Sequence, residues 1–166
     1  MHTVDVISKW LEHTALGHTV ISVPWIWPLC ETLHFVGLCM LVGVITLLDL
    51  RMLGVAKGLP IAAFHKLVPW GVAGFMINLI TGALFVTGAA HQYSHNIAFL
   101  MKLLFIGVGG INILYFYGGG VFKRIEALGP AADAPLSAKI VSWTSIVVWM
   151  GTIYWGRMLP FVGNAF

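Results

Sequence analysis

Charge is scarce in this sequence: 9% of its 166 residues are Asp, Glu, Lys or Arg, against 59% that are apolar. So little polar surface excludes a water-soluble globule. Cysteine is scarce too. Cys30 and Cys39 are the only two, and both fall in one apolar stretch. At about 1.5 Å of helical rise per residue they stand roughly 13 Å apart, which excludes a bridge between them. The opening MHTVDVISKWLEH lacks the basic leader and continuous apolar core of a cleavable signal peptide. No phosphate-binding glycine loop, hydrolase triad or metalloprotease motif is present. The net charge of +3 comes from basic residues placed where membrane topology needs them, so no nucleic-acid partner is expected.

What the chain has in abundance is apolar length, with a mean hydropathy of +0.92. Four runs, 25–50, 67–89, 97–121 and 139–162, each exceed the roughly 20 helical residues that cross a hydrocarbon core. They predict a single all-α membrane domain over residues 1–166, a four-transmembrane-helix up-down bundle joined by short loops. Residues 1–18 read as a short amphipathic surface helix, with Val4, Ile7 and Leu11 on one face and Trp10 as an interfacial anchor. Arg51, Lys57, Lys66, Lys123, Arg124 and Lys139 fall on one side of the membrane, against Lys9, Lys102 and Arg157 towards the other. The lysine and arginine bias makes the first side cytoplasmic and both termini periplasmic, in a bacterial inner membrane. Gly54, Gly58 and Pro60 break the first inner loop, and Pro130 and Pro135 keep the second extended. Asn96 is placed as an N-cap. Gly71, Gly74, Asn78 and Gly82 form a close-packing face on the second helix, with Asn78 finding a partner across the contact.

Depth sorts the ionisable residues into two layers. Asp49, Arg51, Lys66 and Arg124 lie at the cytoplasmic ends, where snorkelling makes them inexpensive. Glu31, His34, Lys102 and Arg157 lie in the outer half, with His91 and His95 just beyond the second helix. A charge at membrane depth costs on the order of 3 kcal/mol, so these groups should face inward and pair. In the plainer interpretation Glu31 pairs with Lys102 or Arg157 and the network fixes helix register. In the functional one the layer holds haem b or a quinone. His34 with Gly37 one turn on leaves room for a flat macrocycle, and His91 or His95 supplies a second axial nitrogen, so that His34 and His95 are the candidate metal ligands. Lys102 and Arg157 then neutralise propionates or polarise a quinone oxygen. A third possibility sets Cys30 and His34, at i and i+4, as half of a copper or zinc site.

Pro28-x-x-Glu31-x-x-His34-x-x-Gly37, Asp49-Leu-Arg-Met-Leu-Gly54, Pro69-Trp70, Gly74-Phe75, Thr81-Gly82, Asn96-x-x-Phe99-x-x-Lys102, Gly110-x-Asn112 and Gly156-Arg157 follow in order along the chain. With these motifs it resembles an uncharacterised bacterial family of four-helix inner-membrane proteins, a domain of unknown function. More distantly it is similar to the membrane domains of copper-resistance proteins and to four-helix b-type cytochromes. The resemblance implies the topology and the residue layer and leaves the chemistry open. The expected function is a membrane-embedded redox subunit. It would bind b-type haem or quinone near the periplasmic face and pass electrons between a periplasmic donor and the quinone pool. The alternatives are a non-catalytic accessory subunit and periplasmic copper handling. The expected partners are the lipid bilayer and other membrane subunits or further copies of the chain.

Overall fold

The computed structural model describes residues 2–55, 57–128 and 132–162; Pro130 therefore lies outside the described residues. Every element among them is helical: α1 (His2–Glu12), α2 (Ala15–Ser22), α3 (Ile26–Leu53), α4 (Ile61–His65), α5 (Val68–Gly88), α6 (Ala90–Ser94), α7 (Ile97–Gly118), α8 (Val121–Glu126) and α9 (Leu136–Met158). Four stretches, Ile26–Leu53, Ala63–Gly88, Ile97–Gly118 and Leu136–Met158, are long and apolar enough to span a membrane. The chain is a multi-pass membrane protein built as a four-helix bundle. Its outward faces agree with that, since Phe35, Ile111, Leu114, Trp143 and Val147 are all exposed, as lipid-facing side chains must be.

The helices end where local chemistry ends them. α3 runs past the expected boundary at residue 50 and stops at Gly54, whose φ of 102° is open to glycine at little cost. The amide of Val55 reaches back to the Leu50 carbonyl at 2.9 Å, a Schellman-type closure. The single surface helix expected over 1–18 is two helices. Thr14 accepts from the amide of Gly17 at 3.1 Å, and this hydroxyl cap starts α2 in a new direction. The third span, expected to reach residue 121, ends at Gly118, because Gly120 takes a φ of 72° and turns the chain into α8. Asn96 caps α7 as expected, accepting from the amide of Ala98 at 2.9 Å.

Neighbours in the bundle run α5, α3, α9, α7, with firm seams between successive members and none between α5 and α7. The α3–α5 seam is the tightest. A Cβ at Gly74 would fall 2.5 Å from the Gly37 carbonyl oxygen, and one at Gly37 would fall 2.8 Å from the Gly74 carbonyl oxygen. Two backbones therefore touch where only glycine permits it. Asn78, expected to bond across this seam, lies against Gly37 of α3 but donates to Gly74 of its own helix at 3.0 Å. On α9, Ser142, Ser145, Trp149 and Thr152 are all buried and form a packing stripe. Asn112 ties α7 to α9 by donating to the Val141 carbonyl at 3.0 Å.

α1 lies with its polar side inward. Val4, Val6, Ile7 and Trp10 are exposed, while Ser8 meets Ser94 of α6 at 3.1 Å and Glu12 accepts from the amide of His91 at 2.8 Å. The polar groups bind α6 and the apolar face is left for the headgroup boundary.

Candidate functional site

Asp49 and Arg51 were expected at a wet helix end, and the structure corrects this: they are 3% and 2% exposed. α3 continues beyond them and the following loop folds over them. Arg51 holds that loop, donating from Nε to the Leu59 carbonyl at 2.7 Å and from Nη2 to the Lys57 carbonyl at 3.1 Å. The guanidinium is thus engaged away from its neighbour. Asp49 stands in the wall of a cavity of about 480 Å³, within the range of small-molecule sites.

All four spanning helices line this cavity, through residues that include Leu48, Phe75, Phe116, Val141 and Trp149. It occupies the side between α5 and α7, which no helix seam closes, so its mouth faces lipid. The wall is almost wholly apolar. Ser145 and Ser142 of α9 lie beside the Asp49 carboxyl, but Ser142 donates its hydroxyl to the Ala138 carbonyl at 3.0 Å, and Asp49 Oδ2 is buried without a hydrogen-bond partner. Among the described residues no cation pairs with it. A buried carboxyl in apolar surroundings is costly unless a proton or a donor group completes it. Asp49 was visible in the sequence, but its i+2 offset from Arg51 on a helix, which sends the two side chains apart, was the signal that it would be left unpaired.

The layer at the opposite end, where both termini lie, is only partly assembled. The Nδ1 of His34 lies 2.7 Å from the Thr81 hydroxyl, and that hydroxyl donates to the Ile77 carbonyl at 2.7 Å. The hydroxyl therefore accepts from Nδ1–H, and Nε2 carries the lone pair, a tautomer assigned from the bonding network. Phe85 flanks the ring at 5.7 Å between centroids. Lys102 is near enough for its charge to act on His34, and its stem lies beside Gly156 on α9. Thr81, which fixes the imidazole, was missed in the sequence because a threonine in an apolar helix looks like filler.

The remaining members do not join them. Gly37, expected to leave room beside His34, is filled by the α5 backbone. Glu31 is exposed and makes no ion pair with Lys102 or Arg157 among the described residues. It acts on Tyr93 of α6, whose phenol is pushed up to about 12, first by burial and then by the Glu31 carboxylate. Arg157 is exposed and lies over the Phe161 ring at 5.3 Å. Cys30 is buried; its half-site partner His34 already has Nδ1 bonded to Thr81. His91 and His95 belong to a separate cluster with Asp5 of α1, at 3.7 and 3.1 Å from its Oδ1. Thr81 sits seven residues, or about 10 Å, short of the end of α5, and α6 begins beyond that end. His34 and the α6 imidazoles thus occupy different levels, and His34 and His95 do not share a ligand position.

Compared with known proteins, the chain matches no family model, no curated protein and no solved structure.

Proposed function

We propose that the chain is a membrane-embedded redox subunit that binds a quinone or quinol headgroup in the cavity beside Asp49. The observation that carries this reading is the unpartnered, buried carboxyl oxygen of Asp49, a residue in the wall of an apolar cavity of about 480 Å³ on the side of the bundle between α5 and α7, where a small shift of the side chain brings the oxygen to the cavity. A ligand entering from lipid must be apolar in the main, and the single polar need at its end is a donor for Asp49. A quinol hydroxyl supplies that donor, and Phe75, Phe116 and Trp149 offer ring faces to a flat headgroup. In the inner-membrane topology set by the lysine and arginine bias, the cavity lies in the cytoplasmic half and both termini are periplasmic. That places the ligand opposite to the side expected from sequence, roughly 22 Å along α3 from His34 at 1.5 Å per residue.

Haem b fits less well. His34 and the half-buried His65, bonded to Tyr117 at 3.3 Å, lie at opposite ends of the bundle, the Gly37 face beside His34 is filled, and His91 and His95 turn to Asp5. No step is therefore derived through haem. Gly107 and Gly118 of α7 have open space where a Cβ would stand, which leaves that helix free for close docking of a second membrane subunit.

The test is solvent extraction of the purified full-length protein, with the extract analysed for quinones. Quinone near one per chain in the wild type, depleted in Asp49→Asn of equal helicity, supports the reading. Absence of quinone from both, together with no uptake of added decylubiquinone or its reduced quinol form, rejects it and leaves the accessory-subunit alternative.

A further inference from the structure

His91 and His95 sit one turn apart on α6, their rings 4.6 Å between centroids and inclined by 30°. Both direct Nε2 at the same Oδ1 of Asp5, at 3.7 and 3.1 Å. The ligand atoms of the three residues all lie within 4.8 Å of one another. For metal–nitrogen and metal–oxygen bonds of about 2.1 Å, ligands on one ion stand roughly 3 to 3.5 Å apart, so the cluster needs little contraction to close on an ion.

The hydrogen bonds around His95 sharpen this. Its Nδ1 lies 2.9 Å from the His91 carbonyl, which can only accept, and 3.1 Å from the Ser94 hydroxyl. Nδ1 therefore carries the proton, and in the neutral ring Nε2 presents a lone pair to a carboxylate oxygen. Two acceptors so close repel unless a proton or a cation lies between them. A proton on His95 serves that imidazole and the carboxylate only. One divalent cation at the shared apex satisfies both imidazoles and the carboxylate together. The backbone carbonyl on Nδ1 is the outer support that orients a ligating histidine and frees its other nitrogen.

We propose that Asp5, His91 and His95 form a site for a divalent transition metal of the imidazole- and carboxylate-preferring kind, such as Zn²⁺, Cu²⁺ or Ni²⁺. The inference is independent of the quinone reading, because the cluster lies outside the spanning helices. Three protein ligands leave coordination positions for water or an exchanging group, the arrangement of an open site rather than a closed structural one. The ion also joins α1 to α6, alongside the Ser8–Ser94 contact and the bond from the His91 amide to Glu12. It therefore fastens the amphipathic helix over the end of the bundle.

The experiment is calorimetric titration of ZnCl₂ into full-length protein in detergent, prepared without a polyhistidine tag and stripped with chelator. One Zn²⁺ per chain is expected, with affinity falling more than about tenfold in His95→Ala and in Asp5→Asn, and unchanged in His13→Ala. Amide exchange over residues 3–12 should slow on adding Zn²⁺ to the wild type and stay constant in His95→Ala, a readout that does not depend on affinity alone. The proposal is overturned if Zn²⁺, Cu²⁺ and Ni²⁺ all fail to bind saturably. It is equally overturned if the two ligand variants, folded by circular dichroism, bind as tightly as the wild type, which would leave the cluster a histidine–aspartate ion pair.

Discussion

Replacing Asp49 by leucine should make the protein more stable and leave it without its ligand. The carboxyl Oδ2 is buried without a partner among the described residues, and an orphaned buried acceptor costs about 1–3 kcal/mol. Leucine removes that penalty and joins a wall already built of Leu41, Leu48 and Val141. The loss on the other side is small. Ser142 keeps its bond to the Ala138 carbonyl at 3.0 Å, while Ser145 gives up its carboxyl neighbour, about 1 kcal/mol. The net expectation is a gain of about 1–2 kcal/mol, in line with buried charges whose replacement by apolar groups is neutral or stabilising. Thermal unfolding in one detergent, followed by circular dichroism, reads the change as a higher midpoint, and bound quinone should disappear in the same sample. An Asp49→Leu protein destabilised by about 2 kcal/mol or more would refute the reasoning, because the carboxyl would then be holding the bundle together rather than waiting for a donor.

Three further outcomes follow from the same geometry. Gly74→Leu should destabilise by at least the 1–3 kcal/mol or so typical of overpacking, since its Cβ meets the Gly37 carbonyl oxygen at 2.5 Å and the Leu41 amide nitrogen at 2.9 Å. Gly110→Leu, with no atom within 4 Å of its Cβ, should gain up to about 1 kcal/mol of helix propensity; equal midpoints for these two variants would sink the packing account. Thr81→Val should cost about 1 kcal/mol and release the His34 tautomer, read from the ring-nitrogen chemical shifts in nitrogen-15 spectra; an unchanged ratio of tautomers would show that Thr81 does not set it. At the loop before α9, Asp133 is held below the usual carboxylate range, first by the hydrogen bond from Lys57, then by the charges of Lys139 and Lys57. Because the folded value is the lower one, this clasp is in force above the ordinary carboxylate value near 3.9 and is lost as pH falls through the folded value. The protection of the loop amides, relative to their intrinsic exchange at each pH, should therefore fall only in acid for the wild type, but already at neutral pH for Asp133→Asn.

The bundle was legible because its evidence is written in long apolar runs, and a span of twenty or more such residues has few other solutions. Asn96 at the head of α7 and the Ser142 to Thr152 stripe were legible for the same local reasons. Pairings between helices were not. Apolar length places Gly37 and His34 at a depth but does not set the rotation of α3 about its axis. Once α5 approaches through Gly74, the space beside His34 is gone. The burial of Asp49 and Arg51 escaped the reading because it depends on the loop at Lys57 and Leu59 folding back, a long-range event with only Gly54 and Gly58 as local signs. The Asp5–His91–His95 cluster unites α1 with α6 across more than eighty residues, and no spacing rule connects them. α1 keeps Val4, Ile7 and Trp10 outward, as an interfacial helix should, and what its amphipathic pattern did not reveal is that the polar stripe of Asp5, Ser8 and Glu12 binds α6.

The most direct measurement is titration of decylubiquinone, oxidised and reduced, into the nanodisc-embedded protein while following tryptophan fluorescence, with Trp149→Phe identifying the cavity-wall signal. The account predicts saturable quenching in the wild type, stronger for the reduced ligand that can donate to Asp49. Quenching should be lost in Asp49→Asn and in the well-folded Gly110→Leu, which fills the same space. Quenching that persists in both variants, or that is absent from the wild type, contradicts it.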